Sequence, residues 1–149
     1  MTGLERLCLH LSALLTGATG LIYGWLRYFG QRAGEFGPEA HPLQPLLQHL
    51  HVLTAPVLVF TLGMLLRGHV QPMLRRDPEV GKRTGLLAVL GIAPMVLAGY
   101  GVQVVVDPAW RGALAWIHGV ASLLFLAGYL VHLARTWEQA RRDREADLG

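Results

Sequence analysis

The sequence predicts an all-α membrane protein: a bundle of four transmembrane helices with both termini in the cytoplasm. Three features carry that prediction. The 149 residues are 52% hydrophobic and only 15% charged, with a mean hydropathy of +0.38, which is too apolar for an ordinary soluble domain of this size. The apolar residues fall into four blocks without Asp, Glu, Lys or Arg, at residues 7–26, 48–66, 84–106 and 112–134. Each block approaches or exceeds the roughly 20 residues that a spanning helix needs. The blocks are also continuously apolar instead of alternating, which argues against a transmembrane β-barrel. They form a single domain over residues 1–149 that leaves no room for a soluble one.

The first helix is expected over about residues 4–29. Its charged start is short (Glu5, Arg6), its apolar run is long for a signal-peptide core, and no clear small-x-small site ends it, so it is read as retained. The loop at 30–45 holds Gly34, Gly37, Pro38, Pro42 and Pro45 and is expected to be irregular. Pro45 suits the first turn of a second helix, over about 46–68. Pro72 and Pro78 break the next connection, and a third helix follows at about 83–106. Asp107-Pro108 closes it, and Arg111-Gly112 leads into a fourth at about 111–137. Beyond Thr136 the chain is expected to be a charged, fraying helix end. Pro56 and Pro94 lie inside spans and should kink them, which membrane helices tolerate where neighbours satisfy the freed carbonyls.

Basic residues set the orientation. The second connection and its borders carry Arg67, Arg75, Arg76, Lys82 and Arg83, and the tail carries Arg135, Arg141, Arg142 and Arg144. In the other connections Arg27 and Arg32 are offset by Glu35 and Glu39, and Arg111 by Asp107. The positive-inside rule therefore places the second connection and both termini in the cytoplasm. A pI near 9.5 is accounted for by these anchors, and no nucleic-acid partner is needed to explain it. The single cysteine, Cys8, excludes an internal disulfide and a Cys-x-x-Cys-His attachment site for c-type haem.

Of seven histidines, five lie within the apolar blocks, and four of these, His10, His51, His118 and His132, lie at depths that pair. His118 and His132 are 14 residues apart on one helix, so both imidazoles point the same way about 21 Å apart along the axis. His51 is early in the second helix, level with His118 near the outer face. His10 is early in the first, level with His132 near the inner face. Two neutral imidazoles on opposite faces of a porphyrin ligate a low-spin b-type haem, and a four-helix bundle holds such a plate between facing helices. The expected metal ligands are thus His51 with His118 and His10 with His132, holding two non-covalent b haems.

Gly17 and Gly24 follow His10 at spacings of 7 and 14, on nearly the same stripe, where a missing side chain admits a macrocycle; Gly20 and Gly119 add room. Small residues also pack membrane helices for their own sake. Zinc fits the histidines less well because it wants three or four protein ligands, and a proton-coupled transporter fits less well because the spans hold no carboxylate. His49 points about 160° from His51 and reads as interfacial. His69, beyond Arg67, falls at the water boundary, with a quinone or propionate contact as its other reading. His41 sits in a loop and supports no assignment. Arg67, Lys82 and Arg83 are candidates to neutralise the inner haem propionates, on charge alone.

Cys8-Leu9-His10 with Thr16-Gly17, Leu50-His51, Val80-Gly81-Lys82, and Ile117-His118 through Val131-His132 together resemble the di-haem cytochrome b subunits of respiratory formate dehydrogenases and nickel-iron hydrogenases, in the broad bacterial cytochrome b561-like class. The resemblance implies an outer haem ligated from helices two and four and an inner haem from helices one and four, the pairs reached from depth. It implies a bacterial inner-membrane location, an electron-transfer subunit or cytochrome as partner on the periplasmic side, and a quinone near the inner haem at the start of helix three. Where family members often carry Asn and Gln after the Gly-Lys pair, this chain has Arg83, Thr84, Gly85 and Leu86. The expected function is transmembrane electron transfer between that partner and the quinone pool, with substrate chemistry left to the partner. The alternative is a haem-poor subunit that scaffolds a larger membrane complex.

Overall fold

A computed structural model describes residues 2–72 and 82–147. The chain divides into two compact units, one ending at Pro72 and the other comprising the remainder. Each is built on an antiparallel pair of helices.

In the first unit, α1 spans Gly3–Tyr28. A capping box starts it: the Thr2 hydroxyl accepts from Glu5 N–H (3.2 Å), and the Glu5 carboxylate accepts from Thr2 N–H (2.7 Å). One stripe of α1, Leu9, Ser12, Ala13 and Thr16, is buried with Leu58, Thr61, Leu62 and Leu65 of α2, Gln44–Leu65. The small residues let the backbones approach. Buried hydroxyls turn back on their own helices: Ser12 donates to the Cys8 carbonyl (2.7 Å) and Thr61 to that of Val57 (2.8 Å).

The loop between them is not irregular as expected. It folds into a two-stranded antiparallel hairpin, β1 (Arg32–Gly34) with β2 (Gly37–Glu39), in which Gly34 pairs with Gly37. Glu35 and Phe36 form the turn, and Gly37 leaves it at φ 118°, a conformation that favours glycine. Gly and Pro were correctly turn residues here, but they bracket a hairpin too short to show periodicity. His41, given no role from sequence, accepts from Leu43 N–H on its Nδ1 (3.2 Å) and leads into α2.

α2 begins slightly earlier than expected, with Pro45 in its first turn, and runs unbroken through Pro56. It then passes into a π-helical turn, Leu66–Val70, where Gln71 N–H reaches back to the Leu66 carbonyl. The extra residue per turn falls where the apolar run ends at Arg67.

The second unit contains α3, Lys82–Val104, and α4, Pro108–Asp147. α3 also continues through its proline, Pro94. α4 starts three residues before the expected boundary because Asp107 acts as N-cap, accepting from Trp110 N–H (2.9 Å), with Pro108 in the first helical position. It also runs ten residues past the expected end. Arg142 pairs with Glu138 (2.5 Å), Arg141 with Glu145 (3.5 Å) and Gln139 with Asp143 (2.9 Å), all one turn apart. This lattice carries the helix into water instead of letting it fray. Ala121 and Phe125 are the buried residues of α4, and Gly91 of α3 lies against both.

Gly3–Tyr28, Gln44–Gly68 and Pro108–Asp147 are each long and apolar enough to cross a membrane, and Val89–Val104 is a shorter apolar stretch. No more than 22% of the apolar window in any of the three is buried within the protein. Leu14, Leu53, Phe60, Leu97 and Leu124 all face outward. Helices that are apolar on every side need lipid around them, so this is a helical, multi-pass membrane protein.

Replacing Asp107 by Ala removes the α4 cap at a cost of about 1 kcal/mol. The thermal unfolding midpoint in detergent is expected to fall by a few degrees, and Asp107→Asn to keep most of the native value.

Candidate functional site

In the first unit the half-buried His51 reaches from α2 across to α1. Its Nδ1 lies 3.0 Å from the Thr16 carbonyl oxygen. A carbonyl only accepts, so Nδ1 carries a proton. The Thr19 hydroxyl is 3.5 Å from the same nitrogen, and itself donates to the Leu15 carbonyl at 2.7 Å. The imidazole lies over Gly20: a Cβ built there would stand 2.7 Å from His51 Cε1 and 2.9 Å from Nδ1.

The second unit repeats this. His118, half-buried on α4, donates from Nδ1 to the Met95 carbonyl of α3 at 2.8 Å. A Cβ on Gly99 would stand 2.9 Å from both Cε1 and Nδ1 of the His118 ring. In both units the accepting carbonyl precedes the glycine by four residues, Thr16 to Gly20 and Met95 to Gly99. Thr19 of the first unit corresponds to the buried Ala98 of the second.

α4 is one uninterrupted helix from His118 to His132, so the 14-residue spacing holds: one face, about 21 Å apart. His132 is half-buried. Its Nδ1 has no hydrogen-bond partner among the described residues, and neither does the buried Thr16 hydroxyl. The register of the α3–α4 pair, fixed by Gly101 against Leu114, Gly99 against His118 and Gly91 against Phe125, brings the first turns of α3 level with His132. Lys82 and Arg83 lie in those turns, with side chains outside the described ones.

His10 is half-buried on α1, next to the buried stripe. The segment that holds His51 begins six residues further along, about 9 Å. Beyond His10 in the other direction, Arg67, Glu5, Phe60, Gly63, Met64 and Gly68 line an open cleft of about 660 Å³ beside the π turn. Arg67 thus sits at the same end of the first unit as His10. Gly17 is half-buried on α1. Gly24 and Gly119 open onto space, with nothing within 4 Å of the position a Cβ would take. His49 is exposed, in keeping with an interfacial place, and the side chain of His69 lies outside the described ones.

The two histidines of each expected pair come from different units. Among the described residues no three of His, Cys, Asp and Glu gather as a metal cluster. The chemistry on offer is that of imidazoles: His51 and His118 each have Nδ1–H held by a carbonyl, the usual second partner of a histidine that ligates through Nε2. Each unit therefore offers an oriented imidazole, the kind of donor that a group held through single imidazoles needs. His132 brings a buried, unsatisfied nitrogen to the same helix face. Sequence reasoning missed the acceptors Thr16 and Met95 and the glycine Gly99, and ranked Gly20 below Gly24. The i, i+4 carbonyl–glycine spacing was visible in both helices, but nothing in the sequence said which histidine lay opposite it.

Comparison with protein-family models, curated proteins and solved structures finds no match to this chain.

The two kinds of histidine differ in what their loss does to stability without added cofactor. His118→Leu loses a buried hydrogen bond worth about 1 kcal/mol and lowers the unfolding midpoint in detergent. His132→Leu removes an unsatisfied nitrogen and is expected to leave the midpoint unchanged or raise it.

Proposed function

We propose that the chain is a di-haem cytochrome b that carries electrons across the bacterial inner membrane, between a redox partner on the periplasmic side and the quinone pool. The observation that carries this reading is the matched holding of His51 and His118, whose Nδ1–H groups are each bound to a backbone carbonyl. A carbonyl-bound imidazole keeps one tautomer and one ring orientation, as a pre-set axial ligand requires. No carboxylate or thiol is needed.

In this reading the chain crosses the bilayer four times, α3 included, and the basic second connection and tail hold both termini in the cytoplasm. His51 and His118 would hold a haem at the outer level, and His10 and His132 a second at the inner level. The pairing rests on the depth of each histidine in its apolar run. A haem held between two imidazoles would supply a one-electron iron couple, which suits electron transfer over oxygen chemistry. The protein positions the imidazoles, excludes water with its apolar surround, and offers cations to acidic groups at the inner end. Arg67 lies at that end of the first unit, beyond His10. Lys82 and Arg83 lie in the turns of α3 level with His132. A quinone exchanging electrons with the inner haem belongs at this same end. Gly17 and Gly24 keep one stripe of α1 low enough for a macrocycle to lie against it.

The pyridine haemochrome assay on purified protein tests the reading. Two b haems per chain are expected, falling to one in either His118→Leu or His132→Leu. A value of zero in the native protein overturns the proposal and leaves a haem-poor scaffolding subunit of a larger membrane complex.

A further inference from the structure

We propose that Gly20 and Gly99 are positioning residues, two copies of one device that locks a histidine of the neighbouring helix before any cofactor binds. The inference rests on the haem reading for its purpose but not for its geometry. In an α-helix the carbonyl of residue i accepts from the N–H of residue i+4, and the side chain of i+4 leans back over that carbonyl. A glycine at i+4 uncovers the oxygen. A second donor can then reach a carbonyl that already serves the helix.

Both imidazoles use such an opening. His51 enters over Gly20 and binds the Thr16 oxygen at 3.0 Å; His118 enters over Gly99 and binds the Met95 oxygen at 2.8 Å. In each notch the Cε1–Nδ1 edge of the ring fills the space of the missing methyl, at 2.7 to 2.9 Å from the Cβ position. That separation is shorter than real Cβ atoms tolerate, so even alanine requires the ring to shift. A ring that shifts away from the notch lengthens its hydrogen bond to the carbonyl, 3.0 Å at His51 and 2.8 Å at His118. The glycine thereby selects the rotamer, the Nδ1–H tautomer and the exit direction of Nε2 together. Gly24 and Gly119, with open space at their Cβ positions, lack this function, although sequence spacing makes them look equivalent.

Nitrogen-15 NMR of histidine-labelled full-length protein in detergent, under reducing conditions, tests the device. The native protein is expected to show His51 and His118 as Nδ1–H tautomers. Gly20→Ala should abolish that signature for His51 alone, and Gly99→Ala for His118 alone. Helix content should stay native by circular dichroism, since alanine is the stronger helix former. Gly112→Ala, at a position with nothing within 4 Å of its Cβ, should change neither signal. An Nε2–H tautomer at either histidine in the native protein overturns the proposal without recourse to a variant, and so do Gly20→Ala and Gly99→Ala proteins with unaltered signals. A native protein that shows both tautomers yet contains no haem keeps the device and refutes the cofactor reading, so the two failures are distinguishable.

Discussion

An imidazole N–H placed in hydrocarbon must find an acceptor, and in a helical membrane protein nearly every backbone acceptor is already committed to its own helix. The candidate site depends on how that constraint is met. At His51 and at His118 the second helix of each pair borrows a carbonyl from the first, at the point where a glycine leaves it uncovered. The hydrogen bond then fixes which ring nitrogen keeps its lone pair. Ligand chemistry follows from helix packing, because the same glycine that lets the helices approach also determines the state of the imidazole.

The level of each histidine follows from the helix that carries it. α4 acts as a ruler, holding His118 and His132 on one face about 21 Å apart. In the first unit the His51 ring meets α1 between Thr16 and Gly20, 6 to 10 residues from His10, or about 9–15 Å. The shorter spacing in one unit is the tightest demand on the di-haem reading. Among the described residues the Nδ1 of His132, unlike that of His118 on the same helix, has no hydrogen-bond partner.

Much of this was legible in the sequence because bilayer physics writes in long, simple signals. Four charge-free blocks gave helix boundaries within about three residues of those observed, except at the C-terminal end of α4. Pro45 sits in the first turn of α2 as expected, whereas Pro108, expected to close the third helix, opens α4. The misses share a cause: they depend on partners not adjacent in sequence or on short-range pairs that hydropathy ignores. The extension of α4 to Asp147 rests on charge pairs one turn apart, and the β1–β2 hairpin on a turn of two residues. Gly24 drew attention through its heptad spacing from His10, whereas Gly20 makes the contact because the α1–α2 register brings His51 to it. Gly99 and Met95 were invisible for the same reason.

Near-infrared magnetic circular dichroism of the oxidised, purified protein tests the central claim most directly, because its charge-transfer band reports the axial ligands of low-spin ferric haem. Bis-imidazole ligation at every haem is the predicted result. A band from any other ligand pair, or a high-spin spectrum at the outer haem, would contradict the account even if the haem content were correct.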